Sequence, residues 1–374
     1  MSNNKSTVSL NMPVLSVEKA TNTLTETYVP VIAKGLSPKV LPSVMLWGPP
    51  GVGKSQAIRQ IAKNIEKRTD KKTKITDVRL LLFNPIDLRG IPTSNADKTL
   101  AVWLKPQIFQ MDESKKVVNI LFLDELSAAP QSVQAAAYQI TLDRIIGEHK
   151  LPDNCIVIAA GNRVTDKSVA FKMPKALANR LCHLEIESNF DSWLRWAIFA
   201  GISPKITGFL SFRHNYLIEN ESTTDDLAFP TPRSWEMVSK LLKLSNDDVK
   251  SIYPLICGCV GSGVASEFSS WSNIYATLPS MDDIFHGRCN KVPSGSDVLY
   301  ARVSSMSSYA KEHKDDMDLI ENSINYAMLL PADYSFILIK NYMAIEEGYK
   351  NKLMKVPAFV KWVNTKGRLL NGTR

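Results

Sequence analysis

The chain has 374 residues, 44% hydrophobic and 22% charged, and 45 Lys and Arg against 37 Asp and Glu give a net charge of +8. This is ordinary globular composition with room for two or three domains, which excludes a disordered or fibrous protein. The polar start Met1–Thr7 lacks the apolar stretch of a leader, and the longest apolar runs, near 117–123 and 155–160, are far too short for a bilayer span, so the expectation is a cytoplasmic protein without membrane contact. The positive balance admits nucleic acid or an acidic partner without selecting either. Five cysteines are an odd number, and Cys257 and Cys259 lack a second ligand pair for zinc, so the thiols are expected to be reduced.

In chain order, the first informative run is Val44-Met45-Leu46-Trp47, the pattern of a buried strand. Gly48-Pro49-Pro50-Gly51-Val52-Gly53-Lys54-Ser55 follows, matching G-x-x-x-x-G-K-[ST], and then a helical pattern through Lys67 with Ala57, Ile58, Ile61, Ala62 and Ile65 on one face. Strand, glycine loop and helix start in this order make a phosphate cradle. Backbone N–H groups and the positive helix end converge on an anion, Lys54 reaches the outer phosphates, and Ser55 holds Mg²⁺. The competing reading is a Gly/Pro turn before an ordinary helix. The basic run Lys63, Lys67, Arg68, Lys71, Lys72 and Lys74 closes that helix, where cations suit the negative dipole end.

Val118–Leu123 reads as a parallel strand buried on both faces, and it ends in Asp124-Glu125. Carboxylates at the carboxyl end of such a strand lie where open α/β sheets bind ligands. Asp124 is placed to orient Mg²⁺ and Glu125 to polarise the water that attacks a γ-phosphate. The alternative is a pair of acids capping the next helix. A third apolar run, Cys155–Ala160, ends in Gly161-Asn162-Arg163, putting a short amide at the same edge; Asn162 could hold the attacking water or simply form a turn. Arg180 precedes a short strand-like run through Ile186. Taken alone it is a surface arginine.

From Phe190 the pattern turns helical, with Trp193, Trp196, Ala197 and Phe199 on one stripe, then Phe209–Tyr216, then Ser234–Leu244. Pro230 and Pro232 fix a turn before the last of these, so that Arg233 near a helix N-terminus can swing toward the phosphates or remain a solvated arginine. Further helical stretches cover 297–312, 315–330 and 334–348 and carry no chemical motif. The final segment, Lys350 to Arg374, mixes basic residues with Phe359 and Trp362 and suits a partner, nucleic acid or a solvated tail.

The series GPPGVGKS, ILFLDE, AAGN, ALANR and Pro230–Ser234 resembles an AAA+ ATPase, most closely the MoxR branch, over roughly residues 10–290. Branch-specific support comes from Asn84-Pro85-Ile86-Asp87-Leu88-Arg89-Gly90 with Trp103-Leu104-Lys105-Pro106, similar to the branch's insertion in the second helix. Gln134–Gln139 through Arg144 and Leu151-Pro152 is similar to the stretch with a hairpin before the Asn strand. The polar Thr93–Thr99 stretch departs from the pattern.

The resemblance implies a parallel sheet flanked by helices in residues 1–200, a small all-α lid in 201–290 and a helical extension in 291–374. It implies ATP and Mg²⁺ as cofactors, held by Gly48, Pro49, Pro50, Gly51, Val52, Gly53, Lys54, Ser55 and Gln56 (Walker A) and by Asp124 (Walker B), with Ser55 and Asp124 on the metal. Glu125 completes Walker B, Asn162 is sensor 1, Arg180 is the arginine finger offered to a neighbouring subunit, and Arg233 is sensor 2. Arg144 and Arg163 are alternative trans-acting groups.

It also implies a Mg²⁺-dependent ATPase ring, most simply a hexamer, that remodels or activates a protein partner, typically with a von Willebrand factor A domain protein. A nucleic-acid-stimulated motor or loader is the rival reading, motivated by the charge and by related AAA+ members that carry the same helix insertion and move DNA. A nucleotide-binding scaffold that does not hydrolyse is weakened by the intact Asp124-Glu125 pair.

Overall fold

The computed structural model describes residues 12–163, 171, 173–218 and 227–366. The start Met1–Thr7 and the end of the basic tail, from 367, lie outside the described residues. The chain divides after Ser188 into two compact units.

The first unit is built on six strands: β1 (Val14–Ser16), β2 (Ser43–Trp47), β3 (Lys72–Arg79), β6 (Val117–Asp124), β9 (Cys155–Gly161) and β10 (Leu181–Glu187). They form one sheet in the order β1-β10-β2-β9-β6-β3, and every neighbouring pair is parallel. Pleating sends alternate residues to opposite faces. Val44 and Leu46 of β2, with Ile120 and Phe122 of β6 and Ile156 and Ile158 of β9, pack against α1 (Val17–Ala33) and α2 (Lys54–Thr69). Met45, Leu121, Leu123, Val157 and Ala159 face the other way, toward α3 (Pro85–Arg89), α4 (Gln131–Tyr138) and α5 (Lys175–Ala178). Burial on both faces explains why these strands read as unbroken apolar runs.

Two antiparallel hairpins stand outside the sheet. β4 (Ile91–Ser94) pairs with β5 (Ala101–Leu104), and β7 (Ile145–Ile146) pairs with β8 (His149–Lys150). The polar Thr93–Thr99 stretch is thus the end of a strand and a turn, in which the Asn95 side-chain carbonyl accepts the Thr99 and Leu100 N–H groups at 2.9 and 3.2 Å. His149 Nε2 donates to Trp103 O at 2.9 Å and so fastens one hairpin to the other. Ile91, Leu100, Val102 and Leu104 of the first hairpin are exposed.

The second unit is helical among its described residues. Helices α6 (Phe190–Ala200), α7 (Pro204–Phe212), α8 (Pro232–Leu244), α9 (Tyr253–Val260) and α10 (Ser262–Ser272) enclose a core around Phe209, Trp235 and Phe268. Helices α11 (Met281–Phe285), α12 (Ser296–Glu312), α13 (Met317–Ala327), α14 (Ala332–Met343), α15 (Tyr349–Leu353) and α16 (Pro357–Thr365) enclose another around Ile320, Tyr342 and Trp362. α12 serves both: Ala301 belongs to the first core, and Val303, Met306 and Ala310 to the second. No helix among the described residues is long and apolar enough to cross a membrane.

Candidate nucleotide site

The strand order brings three chain segments together. β9 lies between β2 and β6, so the ends of β2, β9 and β6 deliver Gly48, Asn162 and Asp124 to one edge of the sheet. The loop Gly48–Gly53 leaves β2 and starts α2, with Gly53 capping the helix at φ 112°. The Gly48 N–H donates to Gly161 O at 3.3 Å, tying the loop to β9. Gly48 also lies against β10: a Cβ there would meet Ile186 O at 2.5 Å, so only glycine lets the two backbones approach this closely. Val52 anchors the loop by burying its side chain among the α1 and α2 residues.

Lys54 and Ser55 project from the first turn of α2. Lys54, buried to 9% exposure, donates from Nζ to Gly48 O, to Pro49 O at 3.1 Å and to Asn162 Oδ1 at 2.9 Å. The first residue of α2, Lys54, thereby reaches the asparagine that follows β9. The amide of Asn162 is engaged across the site rather than on its own turn. Ser55 Oγ donates to Asp124 Oδ2 at 3.4 Å. Gln56 is exposed on the next position of the helix.

Asp124 Oδ1 accepts the Glu125 N–H at 2.9 Å, and Glu125 has φ +58°, a conformation uncommon for a residue with a long side chain. The following turn is closed by the Ala128 and Ala129 N–H groups on Glu125 O, at 3.0 and 3.1 Å. α4 begins only at Gln131 with Pro130 before it, so the two acids are not that helix's cap. Asp77 on β3 is pushed above the usual carboxylate range by desolvation and then by the charge of Asp124.

A hydroxyl and a carboxylate oxygen converging within 3.4 Å beside a phosphate loop suit Mg²⁺, which binds through few protein oxygens and keeps the rest of its shell for phosphates and water. Among the described residues there is no cluster of three or more His, Cys, Asp and Glu that would hold a metal on its own.

The three arginines proposed as trans-acting groups have different surroundings. Arg144 follows a π-helical turn, Gln139–Asp143, is 6% exposed and donates to Leu41 O at 3.1 Å and Cys155 O at 3.4 Å. Burial lowers its pKa and pushes the adjacent Cys155 thiol up to about 12. Arg163 pairs with the buried Glu185 at 2.5 Å and with Glu187 at 3.1 Å. Both side chains are spent on holding their own chain together. Arg180 is half-buried in the turn between α5 and β10. That turn is pinned by His183, which accepts the Trp47 Nε1–H on Nδ1 at 2.9 Å and donates from Nε2 to Ala178 O at 2.7 Å, fixing its tautomer. Arg233 lies in the second unit, exposed in the first turn of α8, behind the Thr231–Ser234 capping box.

Sequence reasoning missed His183 and Ser127. His183 sits in an apolar run without a motif. Ser127 follows the two acids, and the signal that could have found it is its place opposite Gly161-Asn162 once the strand order is known.

Residues 44–183 match the family model described as the ATPase family associated with various cellular activities (AAA). This segment is therefore an AAA ATPase domain, and the parallel sheet with its loop and flanking helices is the AAA+ P-loop fold. Solved structures similar to the chain include a candidate ATPase of Cytophaga hutchinsonii, at 14% identity over 92% of this chain and 80% of that one, with TM-score 0.33. A RuvB variant of Thermotoga maritima is 16% identical over 79% of this chain and 83% of its own, with TM-score 0.34. PCH-2 of C. elegans is 14% identical over 87% of this chain and 69% of its own, with TM-score 0.33. No curated protein matches the chain closely enough to count as a relative.

Proposed function

We propose that the chain is an ATP-hydrolysing, MoxR-like AAA+ ring ATPase that remodels or activates a partner protein or complex. The observation that carries this reading is the convergence of Lys54, Asn162, Ser55, Asp124 and Glu125 from the ends of two adjacent parallel strands, β6 and β9, and the start of α2. Phosphate-loop N–H groups and Lys54 would hold the β- and γ-phosphates, and Ser55 and Asp124 would hold Mg²⁺, which supplies charge neutralisation on those phosphates when bound. Glu125 would take the proton of the attacking water, with Asn162 orienting that water.

Arg180 is the arginine offered to a neighbour's γ-phosphate, and Arg233 the cis-acting one. A phosphate shared between a loop on one subunit and Arg180 on the next links nucleotide state to assembly, most simply as a hexamer. In this reading residues 1–200 form the nucleotide domain, 201–290 the lid and 291–374 an extension, and hydrolysis drives a conformational change that works on the partner. A von Willebrand factor A domain protein is the partner that the family resemblance implies. The exposed Ile91, Leu100, Val102 and Leu104 fit a protein surface better than a phosphate backbone.

The nucleic-acid reading draws on the +8 charge and on the resemblance to AAA+ members that carry the same helix insertion and move DNA. Within the basic run, Arg68 is bidentate to Glu26 at 2.6 and 3.1 Å and Lys74 pairs with Asp112 at 2.8 Å, so part of that charge is already answered within the chain. Light scattering of Glu125→Gln with ATP tests the ring: a defined oligomer of about six subunits is expected, and a strict monomer at micromolar concentration would sink the model. ATP turnover stimulated by DNA or RNA and suppressed by salt would instead favour the motor.

A further inference from the structure

We infer that Ser127 is the positioning residue that sets the distance between Asn162 and Glu125, acting through the backbone of Asn162 without touching nucleotide. The inference rests on the ATPase reading of the site. Ser127 is 1% exposed, and both hydrogen bonds of its hydroxyl go to one residue: Oγ accepts the Asn162 N–H at 2.9 Å and donates to Asn162 O at 3.0 Å. One residue earlier, the Leu126 N–H donates to Ala160 O at 2.9 Å. The turn that carries Glu125 is thus laced to the last three residues of the β9 segment, Ala160–Asn162.

The fit is close. A Cβ on Gly161 would lie 2.5 Å from Ser127 Oγ and 2.9 Å from Ser127 Cβ, so the serine can sit there only because position 161 is glycine. A buried hydroxyl needs a partner, and many sites would have provided one. What marks this one is that its partner is the residue whose amide meets Lys54 Nζ at 2.9 Å. Glu125 stands two residues before Ser127 on the same turn. The hydroxyl therefore fixes the spacing of the residue that would activate water and the residue that would orient it, and placement of reacting groups to within an ångström governs rate far more than affinity. The Ser127 carbonyl also accepts the Phe171 N–H at 2.7 Å, so the same residue meets the chain on its return toward Arg180.

The test is steady-state ATP hydrolysis with the full chain, together with affinity for a fluorescent ATP analogue, for wild type, Ser127→Ala, Ser127→Cys, Asn162→Ala and the Ser127→Ala/Asn162→Ala double variant. Loss of an orienting hydrogen bond behind a functional group costs about tenfold, so Ser127→Ala is expected to lower kcat by about that factor while KM and affinity stay within about twofold. The Cys variant replaces the hydroxyl with a somewhat larger thiol that makes weaker hydrogen bonds, and it should behave alike, giving a second reading where the Ala variant fails to fold. Because Ser127 acts through Asn162, the double variant should be no slower than Asn162→Ala. Wild-type kcat in both serine variants would overturn the inference, as would a double variant slowed by the product of the single effects. An inactive wild type would overturn the ATPase reading and this inference with it, whereas an active wild type with silent Ser127 variants would overturn the inference alone.

Discussion

The two units treat their polar groups in opposite ways. In the first, side chains from β6, β9 and the start of α2 meet at one sheet edge, and at that edge Glu125, a non-glycine residue, adopts φ of +58°. In the second, polar groups are dispersed through the helical packing, many of them in pairs, while Trp193 Nε1, Ser203 Oγ, Trp271 Nε1 and Arg302 Nε are buried without a hydrogen-bond partner among the described residues. Arg302 donates to Tyr326 OH at 2.7 Å, Trp362 Nε1 donates to Ser335 Oγ at 2.7 Å, and Tyr342 OH donates to Ser323 Oγ at 3.0 Å. Among its described residues, the non-glycine residues with positive φ are Asn246 and Asp247, types that tolerate the left-handed region. Convergence of polar atoms on backbone that is locally unfavourable marks a place kept for chemistry; dispersal into pairs marks a place kept for packing.

The sharpest way to break this comparison is Glu125→Gln, which should lower ATP turnover by about 10²- to 10⁴-fold while ATP binding persists, as read by single-turnover assay and analogue binding. Lys54→Ala should weaken both. Next comes Arg180→Ala, with an expected loss on the order of 10³ in kcat and partial recovery when the variant is mixed with Lys54→Ala, since one interface then has an intact loop and an intact arginine. Arg144→Ala and Arg163→Ala should gain nothing from such mixing, because their contacts lie within their own chain. Recovery by either would move the trans-acting role away from Arg180.

In the second unit the order of effects should invert. Trp362→Ala removes a fully buried ring and should cost about 3–5 kcal/mol of stability by urea denaturation, with the folded fraction keeping its affinity for ATP. The smallest effect concerns Asp112 on the first unit, whose carboxyl is lowered from 3.8 to about 2, chiefly by Lys74 and then by the Ser114 N–H. A depressed carboxylate pKa adds stability that is present above pH 3.8 and lost as pH falls toward 2. Asp112→Asn should flatten the acid limb of the melting curve there and change nothing near neutrality beyond the lost ion pair.

Much of the first unit was legible because its strands are buried on both faces. The runs read from Val44, Val118 and Cys155 differ from β2, β6 and β9 by about one residue at their ends. The helical stretches 297–312, 315–330 and 334–348 fall on α12, α13 and α14, but the last two run three and five residues past the ends of their helices, at Ala327 and Met343. β1 carried no signal, since three residues become a strand only by pairing with β10. The hairpin β7–β8, expected from the family resemblance and not from local pattern, has two residues a side and is held by tertiary contacts such as the His149–Trp103 bond. The same limit applied at the site. Lys54, Asp124 and Glu125 announce themselves through local spacing, whereas the burial of Arg144 and the grip of Ser127 on Asn162 depend on which strands become neighbours.

The sharing of α12 bears on how the second unit comes apart. Tyr300 on that helix meets Phe212 of α7 at 6.2 Å and Tyr334 of α14 at 5.1 Å between ring centroids, and Ser307 accepts from Asn341 of α14 at 3.1 Å. Opening either core strips one side of α12 and exposes apolar surface of the other, so neither can fray alone without raising the free energy of its neighbour. Amide hydrogen exchange should therefore show α7, α12 and α14 opening as one cooperative event, with no separate, earlier-exchanging group among the three.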